Sequence, residues 1–398
     1  MKILYITYEN VYRTAILQAM VLNPMRLIAE KYNVKFTISS SIKPSENDDI
    51  YRKNKTAFLK QNIDQIEVVE FSKNLKQKQT FSRFITDIIP IVWFSIKEAR
   101  KNDLIHCRSY GGAIIGMIVG FVTRTPYIFD MRGTLPEELV DLGLVKVGSL
   151  KHKLIKSTER LLIRRACVVF TVSEKFNEYI KTTFKKKNSI NINNPTDFSK
   201  FTVSTNPTNK VNFIYSGSML EWHMPELTIQ YFNEVQKRFP QKVYFYFCTN
   251  QKDEAEEFFV KYAIPKNSYE INTVPFHDMP LYYAKSHIAF QLTKNSFQRS
   301  VCFPVKFSEY IAAELHVIAN TGIGDIEDII TTHKCGTIIK DLDNFSSNIE
   351  NICKIIRQSL SEELPTYKRK ELNFLDWKSE GIVKIHDAYQ NIINRQLK

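Results

Sequence analysis

Glycine is scarce in this sequence, with 12 in 398 residues, which excludes collagen-like and linker-like chains. Cysteine is thin and scattered: Cys107, Cys167, Cys248, Cys302, Cys335 and Cys353 form no Cys-x-x-Cys and no metal-ligand spacing. Such a set fits reduced, buried thiols in a cytoplasmic protein. No segment offers about 18 uninterrupted apolar residues, so no membrane-spanning helix is expected. Two runs come part of the way. Residues 113–122 are stopped by Arg124, and residues 88–94 include Trp93 and Phe94. Both read as buried helices, and the second also suits contact with a membrane surface. The opening Met1-Lys2-Ile3-Leu4-Tyr5-Ile6-Thr7 is too short and polar-flanked for a signal peptide and reads as a strand. Acidic residues are too few to balance the bases, 42 against 55, leaving +13. That excess predicts an anionic partner: nucleic acid, acidic lipid or a phosphorylated small molecule. Also missing are His-Glu-x-x-His, a P-loop and a Gly-x-Ser-x-Gly elbow.

What is present is ordinary for a folded protein: 43% hydrophobic and 24% charged residues. At about 150 residues per domain the length suggests two or three domains. Strand-like and helix-like segments alternate, the pattern of parallel α/β layers. Strands are expected at 2–7, 34–39, 67–71, 104–107, 127–131, 168–172 and 189–194. A second series follows at 211–217, 243–248, 268–274, 288–292, 317–319 and 337–339. Helices are expected at 13–31, 81–100, 111–122, 149–165 and 174–184, the last with Ser173 as its N-cap. The polar, turn-rich residues 203–209 read as a linker. Two doubly wound domains joined near 195–210 is the economical architecture. In such sheets ligands bind beyond the carboxyl ends of the strands.

The richest chemistry lies in Pro304-Val305-Lys306-Phe307-Ser308-Glu309-Tyr310-Ile311-Ala312. Lys306 and Glu309 share a helical face near its N-terminus. The helix feeds a strand and then a turn containing Gly322 and Gly324, whose amides could face a phosphate. Glu309 could accept from ribose hydroxyls, and Lys306 could neutralise a phosphate; spacing alone also allows a surface ion pair. Asp130-Met131-Arg132-Gly133 ends another strand, where Arg132 could meet phosphate or acceptor, or Asp130 and Arg132 could simply hold the loop. His106, inside a strand, reads as a packed core histidine. Asp341-Leu342-Asp343 reads as capping or solvated rather than metal-binding. Basic residues gather at Lys153, Lys156, Arg160 and Arg164 on one helix face, at Lys181 and Lys185 to Lys187, and at Lys73, Lys76, Lys78 and Arg83. Beside an apolar Trp/Phe segment they suit an anionic membrane. No nucleic-acid module is recognisable.

The Pro-x-Lys-x-x-Glu-Tyr-x-Ala pattern with its following strand and Gly turn resembles the donor-binding signature of GT-B fold, family 4-type retaining glycosyltransferases. Further pieces resemble the family in order: Asp103-Leu104-Ile105-His106, Thr171-Val172-Ser173, Asn193-Asn194-Pro195-Thr196-Asp197, Tyr215-Ser216-Gly217-Ser218, and Val274-Pro275-Phe276-His277-Asp278-Met279-Pro280-Leu281-Tyr282-Tyr283-Ala284. The resemblance implies two Rossmann-like α/β domains facing a central cleft. They would be 1–196 on the acceptor side and 197–376 on the donor side, with 377–398 a helix returning to the first. It implies that Glu309 binds the donor ribose, that Val274 and Phe276 flank the nucleobase, and that Gly217, Ser218, Trp222, Gly322 and Gly324 line the donor. Two departures stand out. Val301 replaces an earlier family glutamate, and the loop 218–223 lacks the family's Arg and Lys, with His223 its one basic residue. Lys306 and Arg299 are the candidates to hold the diphosphate instead. Lys306, Arg132 and Asp130 are the candidate catalytic set. The expectation is a retaining, metal-independent transferase without a cofactor. It would use a nucleotide-sugar donor and a glycan or lipid-linked acceptor of surface polysaccharide synthesis. It would be cytoplasmic and peripheral on the inner face of the plasma membrane, touching anionic lipid and no nucleic acid. A nucleotide-sugar epimerase and a non-catalytic relative are the alternatives.

Overall fold

The computed structural model describes residues 1–43, 48–61, 63–72, 81–203, 209–361, 363 and 366–396. Every run expected as a strand forms one, with ends shifted by a few residues. The first sheet holds β1 (Lys2–Thr7), β2 (Lys35–Ile42), β3 (Ile66–Ser72), β4 (Leu104–Arg108), β5 (Tyr127–Asp130), β6 (Val168–Thr171) and β7 (Ser189–Asn191), in the order β3-β2-β1-β4-β5-β6-β7. The second holds β8 (Val211–Ser216), β9 (Val243–Cys248), β10 (Tyr269–Asn272), β11 (Ile288–Gln291), β12 (His316–Asn320) and β13 (Gly336–Ile339), in the order β10-β9-β8-β11-β12-β13. All strand pairs run parallel. Strand order reverses between β1 and β4 and again between β8 and β11, and such reversals open a crevice at the carboxyl ends.

The inner strands are buried throughout, as parallel sheets covered on both faces must be. Few glycines suffice because two are placed where backbone must approach the sheet. In helix Ser109–Thr123 a Cβ on Gly112 would sit 2.6 Å from the Ile6 carbonyl oxygen, and one on Gly116 2.0 Å from Cys107 Sγ. The helix therefore lies close on β1 and β4. The second core is aromatic, with Phe213 stacked on Phe290 at 5.5 Å and Phe232 tilted against Phe245 at 4.8 Å. Each such pair contributes about 0.5–1.5 kcal/mol beyond its burial.

Three helical readings change. The expected helix 13–31 is broken into Ala15–Leu17, a wider π-turn at Gln18–Leu22 and Asn23–Tyr32. Pro24 has no N–H to bond the preceding turn, and the ladder loosens just before it. Helix Asp49–Leu59 was not expected; Asp48 caps it by accepting from the Tyr51 amide at 2.9 Å. Helix Leu135–Asp141 was also missed, with Pro136 in its first turn.

The chain divides into two compact units, Met1–Asn193 with Trp377–Lys398, and Asn194–Asp376. Residues 194–196, placed in the first domain from sequence, are tied into the second unit. Ser308 donates to the Asn194 carbonyl at 2.6 Å, and the Thr196 amide to that of Leu375 at 2.9 Å. Helix Ile382–Gln396 belongs to the first unit. His386 stacks on Tyr32 at 3.7 Å, and the Tyr389 hydroxyl lies 2.6 Å from His106 Nδ1. All six cysteines are free thiols. Among the described residues no helix is long and apolar enough to cross a membrane.

Candidate functional site

In the second unit the candidate residues converge on the carboxyl ends of β8, β11 and β12. β8 ends at Ser216, whose hydroxyl lies 3.1 Å from that of Tyr283 and 3.2 Å from that of Tyr310. Gly217 follows. A Cβ there would fall 2.5 Å from Lys306 Nζ, so a larger residue would push the lysine's flexible end away from the backbone. The Ser218 carbonyl accepts from Tyr215 at 2.6 Å, and the Met219 amide donates to Gln251 at 2.8 Å, which fixes the loop. Trp222 is anchored through its carbonyl, which accepts from Thr293 Oγ1 at 2.8 Å and the Lys294 amide at 2.9 Å, just beyond β11. The Arg299 guanidinium stands 5.2 Å from the Trp222 ring centre. After β12, Asn320 donates to the Thr293 carbonyl and to Asn295, and Gly322 turns with φ of +83°. The Gly324 amide donates to the Arg299 carbonyl at 3.1 Å, so the glycine turn and Arg299 form one piece.

Helix Val305–Ala312 presents the two charged groups. Pro304 occupies its N-cap position, one place earlier than the first turn. Glu309 is buried, and its carboxylate accepts from the Tyr283 hydroxyl at 2.7 Å. Burial pushes its pKa up to about 7, against the opposing pull of Tyr283 and Lys306. Lys306, half-buried, lies over the Tyr215 ring at 5.0 Å. Burial, with the Arg299 charge adding to it and Glu309 opposing, brings its pKa down to about 8. His223 is depressed to about 3 by burial and by the Lys306 and Arg299 charges, and is therefore neutral. The loop's own base carries no charge; Lys306 and Arg299 carry it. A carboxyl and an ammonium both shifted toward neutrality mark a site whose charges lack compensation.

Tyr283, Tyr215, Ser216 and Tyr310 lie in stretches that the sequence pattern marks, but that pattern assigns none of them a role. Tyr283 lies inside the Met279 to Ala284 stretch, but only the packing shows that its hydroxyl serves Glu309. Val274 and Phe276 lie half-buried in the loop after β10, which leads into helix Met279–Tyr283, the helix that delivers Tyr283. Val301, at the departed glutamate position, is buried.

Asp130 and Arg132 lie in the first unit, at the end of β5. Asp130 is fully buried and bound by Arg132 through Nε at 3.0 Å and Nη2 at 2.7 Å. His106 Nε2 at 3.5 Å and Arg108 Nη1 at 3.8 Å crowd the same carboxylate. Burial works to raise its pKa, yet the Arg132, His106 and Arg108 neighbours hold it well below the usual carboxylate range. Burial lowers the His106 pKa. The Asp130 carboxylate is thus held among cations and orients Arg132, whose side chain keeps 16% of its surface open.

The basic helix face also needs correction. Lys156 turns inward, donating to Glu137 at 2.8 Å and to the buried Glu159 at 2.7 Å, so it is not part of the exposed face. Lys186 donates to the Ala166 carbonyl just past the end of helix Leu150–Arg165. Lys73, Lys76 and Lys78 lie outside the described residues, as does the Arg83 side chain. The Asp341 carboxylate accepts from the Asp343 amide at 3.0 Å, a local turn. Among the described residues no three His, Cys, Asp or Glu side chains group in a way that could hold a metal.

Residues 74–188 match the family model of the Glycosyl transferase 4-like domain. Across the whole chain, the structure resembles that of the Anabaena protein HepE in complex with UDP and glucose. Identity is 14%, covering 100% of this chain and 98% of that one, with a TM-score of 0.63. The fold is GT-B. It is shared with sucrose-phosphate synthase from Thermosynechococcus elongatus at 11% identity, covering 99% and 100%, with a TM-score of 0.69. The lipopolysaccharide outer core galactosyltransferase WaaB in its apo form matches at 11%, covering 98% and 99%, with a TM-score of 0.66. No curated protein matches in sequence.

Proposed function

We propose that this chain is a retaining glycosyltransferase that moves a sugar from a nucleotide-diphosphate donor, without a metal, to a glycan or lipid-linked acceptor. The observation that carries the reading is Gly217 at the end of β8 with Lys306 Nζ where a side chain would stand. Backbone and ammonium there offer a diphosphate an approach from two sides. The match to the Glycosyl transferase 4-like domain supports the reaction class, and the UDP and glucose of the HepE structure support a nucleotide-sugar donor.

In this reading Glu309, once ionised, accepts hydrogen bonds from the donor ribose. Val274 and Phe276 flank the base, and Ser218, Trp222 and the Gly322–Gly324 turn border the donor. Lys306 and Arg299 neutralise the diphosphate as the bond to the sugar breaks, and this charge stabilisation is the main catalytic term. The acceptor hydroxyl attacks from the face the diphosphate leaves, its proton passing to a phosphate oxygen, so configuration is kept. Positioning supplies the rest of the acceleration. Arg132, held by Asp130, faces the acceptor. Work on surface polysaccharide at the cytoplasmic side of the plasma membrane completes the proposal.

Thermal shift with UDP, GDP, ADP and their sugars tests it. One nucleotide should stabilise the protein, and Glu309→Ala should weaken that binding by about 1–3 kcal/mol, the loss of a buried hydrogen-bonding group. Stabilisation by none would sink the donor assignment; unchanged affinity in the variant would remove Glu309 from it.

A further inference from the structure

The first unit carries an apolar face that no other element covers among the described residues. Helices Phe81–Ala99, Ser109–Thr123 and Leu150–Arg165 pack side by side on one side of the first sheet. Between the first two runs a groove of about 310 Å³ lined by Ile88, Ile89, Val92, Trp93, Ile96 and Ile118. Between the last two runs another of about 430 Å³, bordered by Ile118, Phe121, Pro126, Tyr127, Leu161 and Arg165. Ile118 joins them into one strip. Phe121 is 81% exposed and Trp93 64%, with Ile89, Val122 and Leu154 also open. Side chains of this size and number on one face are unusual unless something covers them.

The charge around the strip has one sign. Lys97, Arg124, Lys153, Arg160, Arg164 and Arg165 are exposed along it. Lys97 Nζ stands 5.0 Å from the Trp93 ring centre, a lysine stem lying along an aromatic with its charge at the edge. The acids on these helices are Asp87, Glu98 and Glu159. Each is engaged, with Tyr8, with Lys101, and with Lys156 and Tyr110 respectively. On helix Leu150–Arg165 the leucines 150, 154 and 161 run beside Lys153, Arg160 and Arg164, an amphipathic arrangement turned outward.

We propose that this face docks on an anionic lipid bilayer, with Trp93, Phe121 and the leucines entering the headgroup boundary and the rim cations meeting lipid phosphates. A second copy of the chain fits poorly, because a two-fold contact would bring the two positive rims together. A nucleic acid would meet the cations but leave the apolar strip uncovered. The wider groove opens at the start of β5, the opposite end from Asp130 and Arg132, so docking leaves those residues unobstructed. The proposal stands independently of the donor assignment, since lipid binding needs no nucleotide.

Sedimentation with vesicles tests it. The full chain should bind phosphatidylglycerol vesicles, bind phosphatidylcholine vesicles far less, and release partly as salt rises. Trp93 fluorescence should shift to the blue on binding, and the shift should vanish in Trp93→Phe. Arg160→Gln and Arg164→Gln should each cost about fivefold in partitioning. The double variant Trp93→Ser with Phe121→Ser should remove most binding while melting as the parent does, since both side chains are exposed. Lys252→Gln with Lys370→Gln removes two charges from the second unit and should change nothing. Three results would each overturn the proposal: equal or absent binding to both vesicles, an equal loss in the second-unit control, or a concentration-dependent dimer abolished by the Trp93 and Phe121 changes.

Discussion

Each unit gathers charged side chains beyond the carboxyl ends of its parallel strands near the point where strand order reverses, yet the two gatherings are opposites. In the first, Asp130 is ringed by Arg132, Arg108 and His106 and is held strongly ionised. In the second, Glu309 is pushed up to about 7 and Lys306 down to about 8, and among the described residues Lys306 forms no salt bridge. Placement in the fold is the same, but only in the first is the carboxylate's charge matched by cations, although Arg108 Nε and Nη1 and His106 Nε2 are buried there without hydrogen-bond partners among the described residues. A carboxylate matched by cations positions a loop, while an uncompensated pair is prepared for charge brought by a ligand.

Breaking the first cluster should have the largest effect on stability. Asp130→Asn keeps the shape but leaves two guanidinium groups largely enclosed without their carboxylate. A loss of about 3–5 kcal/mol in urea unfolding is expected. Nucleotide affinity at the second unit should not move. A stability loss under about 1 kcal/mol, or an equal fall in nucleotide affinity, would remove the contrast between the clusters.

Lys306→Ala should do the reverse. The fold should survive, because the ammonium is held at a desolvation cost. Turnover of the donor should fall about 10²–10³-fold, as when one stabilising donor is removed from a developing charge. Steady-state kinetics and a thermal melt on the same sample measure both. Retained turnover would shift the diphosphate assignment to Arg299.

Much of this fold was legible from residue order alone. The strands are runs such as Val243 to Cys248 and Ile288 to Gln291, apolar on both faces and bounded by turns, and these leave little choice of structure. What escaped was decided by single residues or by packing. Pro24 broke a helix that hydrophobic spacing drew as continuous. Lys156 sits at the spacing of an exposed basic face, yet a buried glutamate one turn away at Glu159 turns it inward. In the site, Lys306 and Glu309 were visible because three-residue spacing on a helix puts them on one face. The Tyr283 hydroxyl that holds Glu309 comes from 26 residues earlier, and only the packing of two helices brings them together.

The smallest effect sharpens the contrast most. Glu309→Gln keeps an acceptor for Tyr283 and removes the charge. In the native chain Glu309 holds its proton up to about 7, whereas unfolded it loses it near the ordinary value of 4.5. Between those values the folded state binds more protons than the unfolded, so this group's contribution makes stability fall as pH rises, and the loss is complete above 7. The variant has no such slope. Part of the gain is returned, because Lys306 loses the attraction of Glu309. Without nucleotide, Glu309→Gln should match the parent at pH 4.5 and exceed it by on the order of 1–2 kcal/mol at pH 8. Asp130→Asn, by contrast, should lose its deficit as pH falls below the ordinary carboxylate range, because Asp130 is held ionised. Paired melts across pH read both slopes. A Glu309→Gln difference that stays flat with pH would mean that the charge of Glu309 is as well matched as that of Asp130.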